Sequence, residues 1–304
     1  MGCNLALLKD LFPETELIKD SHIENLDFDF RIINKNTLTF CGSESFLKES
    51  IQLKNISAII TTREIYSSCK QELDRISKGI ILSSKPSETF FRFHNHLFYN
   101  TDFYNIKKKK SIGKNCNISK LAYISDDNVN IGDYANIEDF VRINSNVKIG
   151  NNCVIGAGSI IGNQGFQFIK LPDEIVPVAH AGGVLIGNDV EIRSNCVIDK
   201  HIFKKNTSIG DQTKLDNLVY LAHMSIIGKR CLIGSHAVIN GNTIIGNNSW
   251  IGPGAVISDS LTIGENVFVS LGSVVTKDLK TGEKVTGNFA IPHEKFINNL
   301  KKIR

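Results

Sequence analysis

The chain has 304 residues, of which 41% are hydrophobic and 22% are charged, and this balance is typical of a globular protein rather than a disordered one. No apolar stretch approaches the roughly 20 residues of a membrane-spanning helix, and the opening residues lack the pattern of a secretory signal, so we expect a cytoplasmic protein. The formal net charge of +4 owes much to two short lysine-rich runs, which are typical of solvated segments and do not indicate nucleic-acid binding.

The first part of the chain, residues 1–106, predicts a small α/β domain. Strands are expected at 28–33, 37–42, 57–62 and 79–84, and helices at 4–12, 44–52, 63–76 and 86–98. Pro86 suits the first turn of the last helix, where its missing N–H has no intrahelical partner to lose. The lysines of 107–111 predict a basic linker to the next domain.

From residue 112 onward an aliphatic residue, here called the anchor, recurs every six positions. The 24 anchors are Ile112, Ile118, Ile124, Ile131, Ile137, Ile143, Ile149, Ile155, Ile161, Ile186, Ile192, Ile198, Ile209, Leu215, Leu221, Ile227, Ile233, Ile239, Ile245, Ile251, Ile257, Ile263, Val269 and Val275. Six residues fit neither a helix nor an alternating strand. This period is typical of a left-handed parallel β-helix, in which three short strands form one triangular coil and the anchors point inward. We expect about eight coils over 112–280.

Two residues before each anchor the side chain is mostly compact. Four of the seven cysteines, at 116, 153, 196 and 231, stand at this position, which predicts that they pack in the core. The chain has no C-x-x-C pair, so neither a disulfide framework nor a zinc site is expected. After the repeat, residues 281–304 predict a tail with a short helix at 292–303 that caps the open end of the coils.

Two gaps interrupt the repeat, at 162–185 and 199–208. Long excursions from a repeating scaffold are usually functional or disordered. The first carries Phe166, Phe168 and several glycines, and we therefore expect an ordered flap.

His223 stands two residues after an anchor, at an outward corner of the predicted prism. A plain surface histidine is one interpretation, and a chemical group is the other. Asp216 and Asn217 precede it by about one hexad, and they are interpreted either as turn residues or as neighbours of a site. His236 falls on a different face, and no histidine triplet of the kind that binds a metal is present, so we expect no metal.

Several segments resemble the bacterial UDP-3-O-acylglucosamine N-acyltransferases of lipid A synthesis, within the hexapeptide acyltransferase superfamily. The matching residues are "LDNLVYLAH" at 215–223, "GNQGFQF" at 162–168, "GGVLIGNDVEI" at 182–192 and "NCVID" at 195–199, with 37–40 and 86–90 in the first domain. The resemblance implies that His223 is the general base, because imidazole titrates near neutral pH. It also implies that Asp216 and Asn217 orient the imidazole or the pantetheine arm of the donor.

The resemblance further implies a nucleotide-binding first domain with an aromatic clamp for a uracil or thymine ring. Phe40, Ser43 and Phe46 occupy that pattern, since two phenyl faces can sandwich a pyrimidine. Phe40 can equally be a core residue of a strand. His180, in the long loop, is a further candidate for contacting phosphate or sugar.

Three departures from the lipid A enzymes shape the predicted function. Ser260 stands 37 residues after His223, where that family has a second histidine, and Ser43 replaces the asparagine of the clamp. The tail is also short. These differences resemble related enzymes that acylate amino sugars carried on UDP or dTDP for surface glycans, several of which use acyl-CoA.

The sequence therefore predicts an N-acyltransferase acting on a nucleotide-linked amino sugar, with acyl-CoA or acyl carrier protein as the donor. The family and the open corner together predict a homotrimer, because a cleft between two prisms supplies the second wall of a pocket. The alternative within the same class is the lipid A step itself. A non-catalytic β-solenoid scaffold is the alternative from another class, and a metal-dependent hydratase is disfavoured for want of histidines.

Overall fold

The computed structural model describes residues 2–105, 108–287 and 292–303. The first domain contains a five-stranded sheet whose strands lie in the spatial order Glu16–Lys19, Gly79–Leu82, Ile56–Thr61, Thr37–Cys41 and Asn25–Leu26. The outermost strand, Glu16–Lys19, is antiparallel and the others run parallel. Cys3–Asn4 and His22–Ile23 form a separate antiparallel pair.

Helices cover this sheet at positions close to those predicted. They are Ala6–Leu11, Glu44–Gln52, Arg63–Ser68, Lys70–Asp74 and Pro86–Asn100. The helix predicted at 63–76 is divided in two at Cys69, which has non-helical backbone angles. The strand predicted at 28–33 is wrong: the Asp27 carboxylate accepts hydrogen bonds from the N–H groups of Phe28 and Asp29, and this turn takes the segment out of the sheet.

The second domain is a parallel β-helix with three faces, each a sheet of strands stacked in register. The first face contains Ser111–Ile112, Val129–Ile131, Val147–Ile149, Gly183–Ile186, Asn206–Ile209, Ile226–Ile227, Ile244–Ile245 and Thr262–Ile263. The second face contains Asn117–Ile118, Asn136–Ile137, Val154–Ile155, Glu191–Ile192, Lys214–Leu215, Leu232–Ile233, Trp250–Ile251, Phe268–Val269 and Lys284–Val285. The third face contains Tyr123–Ile124, Arg142–Ile143, Ile160–Asn163, Val197–Asp199, Tyr220–Leu221, Val238–Ile239, Val256–Ile257 and Val274–Val275.

The anchors fill the inside of this prism. Most of them are at most 2% exposed, and they form one continuous core with the compact residues two positions before them. Cys153, Cys196 and Cys231 belong to that core, as the repeat predicted. Burial raises the pKa of the Cys196 thiol to about 11, so this group packs as a small neutral side chain.

Each coil turns three corners, and the turn places the third residue after an anchor at positive φ. Asparagine is common there, as at Asn146 and Asn248, because it tolerates the left-handed region better than most side chains. The glycine directly after an anchor has another function. A Cβ on Gly150 would lie 2.5 Å from the carbonyl oxygen of Gly187 on the next coil, so only glycine allows the coils to stack this closely.

We call the corner between the third and the first face the third corner, and that between the second and the third face the second corner. Both gaps in the repeat leave from the third corner, after Asn163 and after Asp199. The longer excursion contains an antiparallel hairpin of Phe168–Lys170 and Ile175–Pro177, so the predicted flap is ordered.

The first domain packs on both excursions. Phe203 and Ile202, from the shorter excursion, are buried in one apolar cluster with Phe28, Phe90 and other residues of the first domain. A buried ion pair of Asp27 and Lys205 crosses the same boundary. The interface therefore holds the first domain against the third corner.

The chain leaves the β-helix at Lys284–Val285, a few residues beyond the predicted boundary at 280. A short helix follows at His293–Ile303. Within the described residues no helix is both long and apolar enough to cross a membrane.

Candidate functional site

His223 lies at the third corner, directly after the strand Tyr220–Leu221. Its side chain is half-buried, and its two ring nitrogens have different surroundings. Nδ1 is buried and has no hydrogen-bond partner. Nε2 faces Gly241 on the next coil, where an added Cβ would lie 2.8 Å away. The missing side chain at Gly241 therefore leaves Nε2 open to a cavity.

This cavity has a volume of about 570 Å³ and is bounded by both domains. Its walls come from the first domain, the flap and three successive coils of the third corner. The lining residues are Phe28, Phe166, Gln167, Tyr220, Ala222, His223, Met224, Asn240, Gly241, Asn242, Asp259 and Ser260. A pocket of this size, lined by apolar side chains and a few polar groups, is typical of a small-molecule site.

A second imidazole lies beneath His223. His180, at the end of the flap, is 1% exposed, and its ring centroid is 5.2 Å from that of His223. Its Nδ1 is 3.1 Å from the carbonyl oxygen of Val178, whereas its Nε2 is buried without a partner. Gly165 lies beside both rings. A Cβ at that position would lie 2.6 Å from Nε2 of His180 and 2.7 Å from Nδ1 of His223.

A buried carboxylate completes this cluster. Asp199 is 1% exposed and accepts a hydrogen bond of 2.6 Å from the Tyr220 hydroxyl and one of 3.2 Å from the Asn163 amide. Its Oδ2 also lies 3.2 Å from the position of a Cβ on Gly165. Burial raises the pKa of Asp199, and the two donors act in the opposite direction.

Burial keeps both imidazoles neutral at physiological pH. It lowers the pKa of His223 to about 4, and burial followed by the charge of His223 lowers the pKa of His180 to about 3. A neutral imidazole with an open Nε2 can accept a proton, which is what a general base requires.

Asp216 and Asn217 are not brought to His223. They lie seven and six residues earlier, which places them at the second corner, exposed on another edge of the prism. The Asp216 carboxylate accepts hydrogen bonds from the backbone and the side chain of Asn217. Within one chain Asp216 is therefore not beside the imidazole, because a side chain one hexad away points along a different corner.

The predicted aromatic clamp is dispersed. Phe40 is half-buried and packs on Phe28, Phe90 and Phe91, so its ring belongs to the core of the first domain. Ser43 caps the helix Glu44–Gln52 by accepting from the Phe46 N–H. The exposed Phe46 ring contacts Phe30 instead. The first domain contributes Phe28 to the cavity wall, a residue that the sequence pattern did not single out.

Of the two remaining candidate residues, Ser260 lies on the cavity wall and His180 does not. Ser260 lines the cavity with His223, and its hydroxyl is 3.4 Å from the Asn242 amide. His180 is too deeply buried to contact a phosphate or sugar, so its predicted role as a ligand-binding residue is wrong. The flap turns its side chain inward, beneath His223.

A loop of the first domain contacts the later coils beside the cavity. The Arg31 guanidinium donates to the carbonyl oxygen of Asn242 at 2.6 Å and approaches the Thr262 hydroxyl at 3.4 Å. The N–H of Asn242 in turn donates to the carbonyl oxygen of His223. This chain of contacts ties the cavity rim to the first domain. Over 2–105, 108–287 and 292–303, no three His, Cys, Asp or Glu side chains group as a metal site.

Sequence reasoning missed Asp199 and Tyr220. Both stand in segments that carry the resemblance, and Asp199 directly precedes the second gap in the repeat. Because the two excursions leave from the same corner one coil apart, the residues that flank them meet in space. The fact that both gaps in the repeat leave at the same corner is the sequence signal that could have identified these two residues.

Comparisons with known proteins agree with this architecture. Residues 128–163, 206–241 and 242–277 match the family "Bacterial transferase hexapeptide (six repeats)", and 225–258 match "Hexapeptide repeat of succinyl-transferase". A UDP-3-O-acylglucosamine N-acyltransferase of Nitratidesulfovibrio vulgaris is 43% identical over 82 residues, which are 27% of this chain and 24% of that protein. A Legionella pneumophila protein called UDP-3-O-acylglucosamine N-acyltransferase 2 is 44% identical over 82 residues, with the same shares. The match thus spans about a quarter of the length of these relatives.

Solved structures with a similar fold include two UDP-N-acetylglucosamine acyltransferases. That of Campylobacter jejuni has a TM-score of 0.53 at 21% identity, over 60% of this chain and 69% of that one. That of Bacteroides fragilis has a TM-score of 0.50 at 26% identity, over 57% and 66%. The chain therefore resembles the hexapeptide-repeat acyltransferases of the lipid A pathway, which confirms the resemblance found in the sequence.

Proposed function

We propose that the chain is an N-acyltransferase that moves an acyl group from a pantetheine thioester to the amine of a nucleotide-linked amino sugar. The observation that carries the proposal is the cavity at the third corner, where a neutral imidazole presents Nε2 between the two domains. The names of the relatives favour an O-acylated UDP-glucosamine as the acceptor, which was the alternative prediction, over a surface-glycan sugar.

In this proposal His223 moves one proton. The sugar amine attacks the thioester carbonyl carbon, and Nε2 takes the proton that the amine nitrogen sheds as the new C–N bond forms. When the C–S bond breaks, Nε2–H returns the proton to the departing thiolate. A neutral imidazole suits the first step, because a charged one has no lone pair to offer.

Ser260 and the two domains supply the rest of the proposed site. The Ser260 hydroxyl, on the cavity wall, is proposed to donate to the oxyanion of the tetrahedral intermediate. Phe28, from the first domain, lies where an apolar ring of the nucleotide or an acyl chain can pack. Phe46 remains a proposed contact for the pyrimidine, on its exposed ring face alone.

The proposal includes an assembly of three left-handed prisms in the cytoplasm. Asp216 and Asn217 lie on the exposed second corner, and in a homotrimer such a corner can face the third corner of a neighbouring copy. They are proposed there as contacts for the pantetheine arm of acyl-CoA or acyl carrier protein. Sedimentation equilibrium tests the assembly, and a monomer would contradict it.

A second acceptor class is kept because of Ser260. The serine stands where the lipid A enzymes have a histidine, which favours the surface-glycan enzymes with a UDP- or dTDP-linked amino sugar. The relatives' names point the other way, so the two acceptors must be compared directly.

The test offers the purified protein acetyl-CoA, a 3-hydroxyacyl-CoA and 3-hydroxymyristoyl acyl carrier protein, each with an O-acylated UDP-glucosamine or a UDP- or dTDP-linked amino sugar. Products are identified by mass. An N-acylated O-acyl-UDP-glucosamine supports the lipid A step, and acylation of a simpler amino sugar from a CoA donor supports the second class. Lack of any product with every pair would contradict the acyltransferase proposal and favour a scaffold.

A further inference from the structure

The two imidazoles and the carboxylate around Gly165 converge on one point. Nε2 of His180, Nδ1 of His223 and Oδ2 of Asp199 lie 2.6, 2.7 and 3.2 Å from the position of a Cβ on that glycine. The two nitrogens are buried and have no hydrogen-bond partner. Buried polar atoms are rarely left unpaired, because each costs about 1–3 kcal/mol. Two unpaired nitrogens and a buried carboxylate oxygen around one residue without a side chain indicate a functional arrangement.

The protonation of His180 follows from its backbone contact. Its Nδ1 is 3.1 Å from the carbonyl oxygen of Val178, and a carbonyl oxygen can only accept. Nδ1 of His180 therefore carries the hydrogen, and in the neutral ring Nε2 is left with a lone pair. That lone pair is directed to the space above Gly165, toward His223.

The protonation of His223 follows from that of His180. Oδ2 of Asp199 already accepts from the Tyr220 hydroxyl, so the two groups that share the space with His223 are both acceptors. If Nδ1 of His223 also presented a lone pair, three acceptors would face one another in a buried space, which is unfavourable. A hydrogen on Nδ1 removes this conflict and leaves the lone pair of His223 on Nε2, toward the cavity.

We propose that His180 is a positioning residue that holds His223 in the tautomer with Nε2 free to accept a proton. The carbonyl oxygen of Val178 sets the tautomer of His180, and His180 sets that of His223. Gly165 is required because any larger residue would separate the two rings. This inference rests on the proposed function for its catalytic meaning, although the tautomers themselves do not depend on it.

The groups around the pair are consistent with this assignment. Asp199, Lys200, His201 and His94 face the two imidazoles from the neighbouring strand, the shorter excursion and the helix Pro86–Asn100. His94 and His201 are buried, and burial lowers the pKa of both. Asp199 adds a buried carboxylate to the cluster, and the Tyr220 hydroxyl and the Asn163 amide both donate to it.

The direct test observes the tautomers by long-range ¹H–¹⁵N correlation on the full chain labelled with ¹⁵N-histidine, at pH 7.5. The signals of His223 and His180 are assigned by their loss in H223Q and H180Q. We expect protonated Nδ1 and unprotonated Nε2 on both rings. A His223 signal with protonated Nε2 overturns the proposal, whatever the activity of the protein.

Three variants separate positioning from packing. H180Q retains an acceptor for Nδ1 of His223, H180L removes it at similar volume, and G165A inserts a methyl group between two intact imidazoles. We expect H180L and G165A to shift His223 toward the Nε2–H tautomer and to lower kcat by about 10–100-fold, the size typical of losing the partner that orients an imidazole. The KM for the acceptor should change little, and H180Q should retain most of the rate.

The outcomes are distinguishable. H22N, at an exposed histidine of the first domain that does not line the cavity, is the control for removing a histidine and should leave kcat and KM unchanged. Equal losses in H180Q and H180L would show that His180 acts through packing alone, which overturns the proposal. If the wild-type tautomers are as expected but no acyl transfer occurs with any donor, the proposed function fails while the positioning inference stands.

Discussion

The second and the third corner of the β-helix are built from the same six-residue repeat, but the second corner is exposed to solvent and the third is covered by other parts of the chain. At the second corner the backbone passes from one strand to the next without insertion, and Asp216 and His236 are exposed there. At the third corner two excursions and the first domain cover the coils, and His223 is half-buried. The comparison shows that the hexad sets the position of a corner residue, whereas the insertions set its chemical environment.

The surroundings of the third corner change the chemistry of His223 by removing water from its imidazole. Removing water from an imidazole disfavours its charged form, and this is the cause that lowers the pKa of His223 to about 4. Three buried histidines, His94, His180 and His201, lie at this corner or against it, and they share one region with the half-buried His223. The described residues place no comparable cluster at the second corner.

The largest expected effect comes from removing the base itself. H223A should lower kcat for acyl transfer by about 10²- to 10⁴-fold, because general base catalysis is typically of that size. The rate is measured with the productive donor and acceptor pair, beside H236N as the matched corner variant. If both variants retain full activity, the two corners do not differ in chemistry and the comparison fails.

Deleting a buried ring of the shorter excursion at the third corner should lower the free energy of unfolding far more than deleting an exposed ring at the second corner. Phe203 is 1% exposed, and Phe140, at the second corner, is 68% exposed. We expect F203A to lower the free energy of unfolding by about 3–5 kcal/mol, the usual cost of deleting a buried phenyl ring. F140A should change it by less than about 0.5 kcal/mol. Urea unfolding measures both, and similar losses would contradict the assigned burial.

Acid should destabilise the third corner selectively. Burial lowers the pKa of His94 and His223 to about 4 and helps to lower that of His180 to about 3, so these groups stay neutral in the folded chain. The unfolded chain binds their protons near pH 6.5, and stability must therefore fall as the pH decreases from about 6.5 toward 4. Linkage sets the loss at up to about 2 kcal/mol for each such histidine at pH 5.

Urea unfolding between pH 7.5 and 5 measures this loss. H180L should show a weaker dependence on pH than the wild type, because one buried group no longer titrates on unfolding. A stability that is constant over this interval would indicate that water reaches these imidazoles.

The smallest expected effect concerns the carboxylate of the cluster. Y220F removes the hydroxyl that donates to Asp199 at 2.6 Å, and we expect a loss of about 1.5 kcal/mol, as for a hydrogen bond to a charged group. The pKa of Asp199 should rise as well, since one of the two donors that stabilise its charged form is lost. Thermal unfolding and the ¹³C titration of this carboxyl measure the two changes, and an unchanged pKa would contradict the contact.

Much of the fold could be predicted because each feature is local or periodic. The anchors specify which residues point inward, and the helix Glu44–Gln52 has its cap at Ser43 in the adjacent sequence. The strand predicted at 28–33 failed because the Asp27 side chain competes with the sheet for the same backbone N–H groups. The cavity position of Ser260 was also predictable, since 36 residues make two coils and its neighbour Asp259 lies two coils after His223.

The hexad pattern alone specifies the prism, its three corners and the residue that each corner presents, because a six-residue period with an inward anchor has one geometric solution. Which corner is chemically distinct depends on contacts between distant segments of the chain. His180, Asp199 and His223 are distant in the chain, and they meet because two excursions and the first domain fold over the same edge. Burial at that edge is a sum over many distant contacts, and no single stretch of sequence contains it.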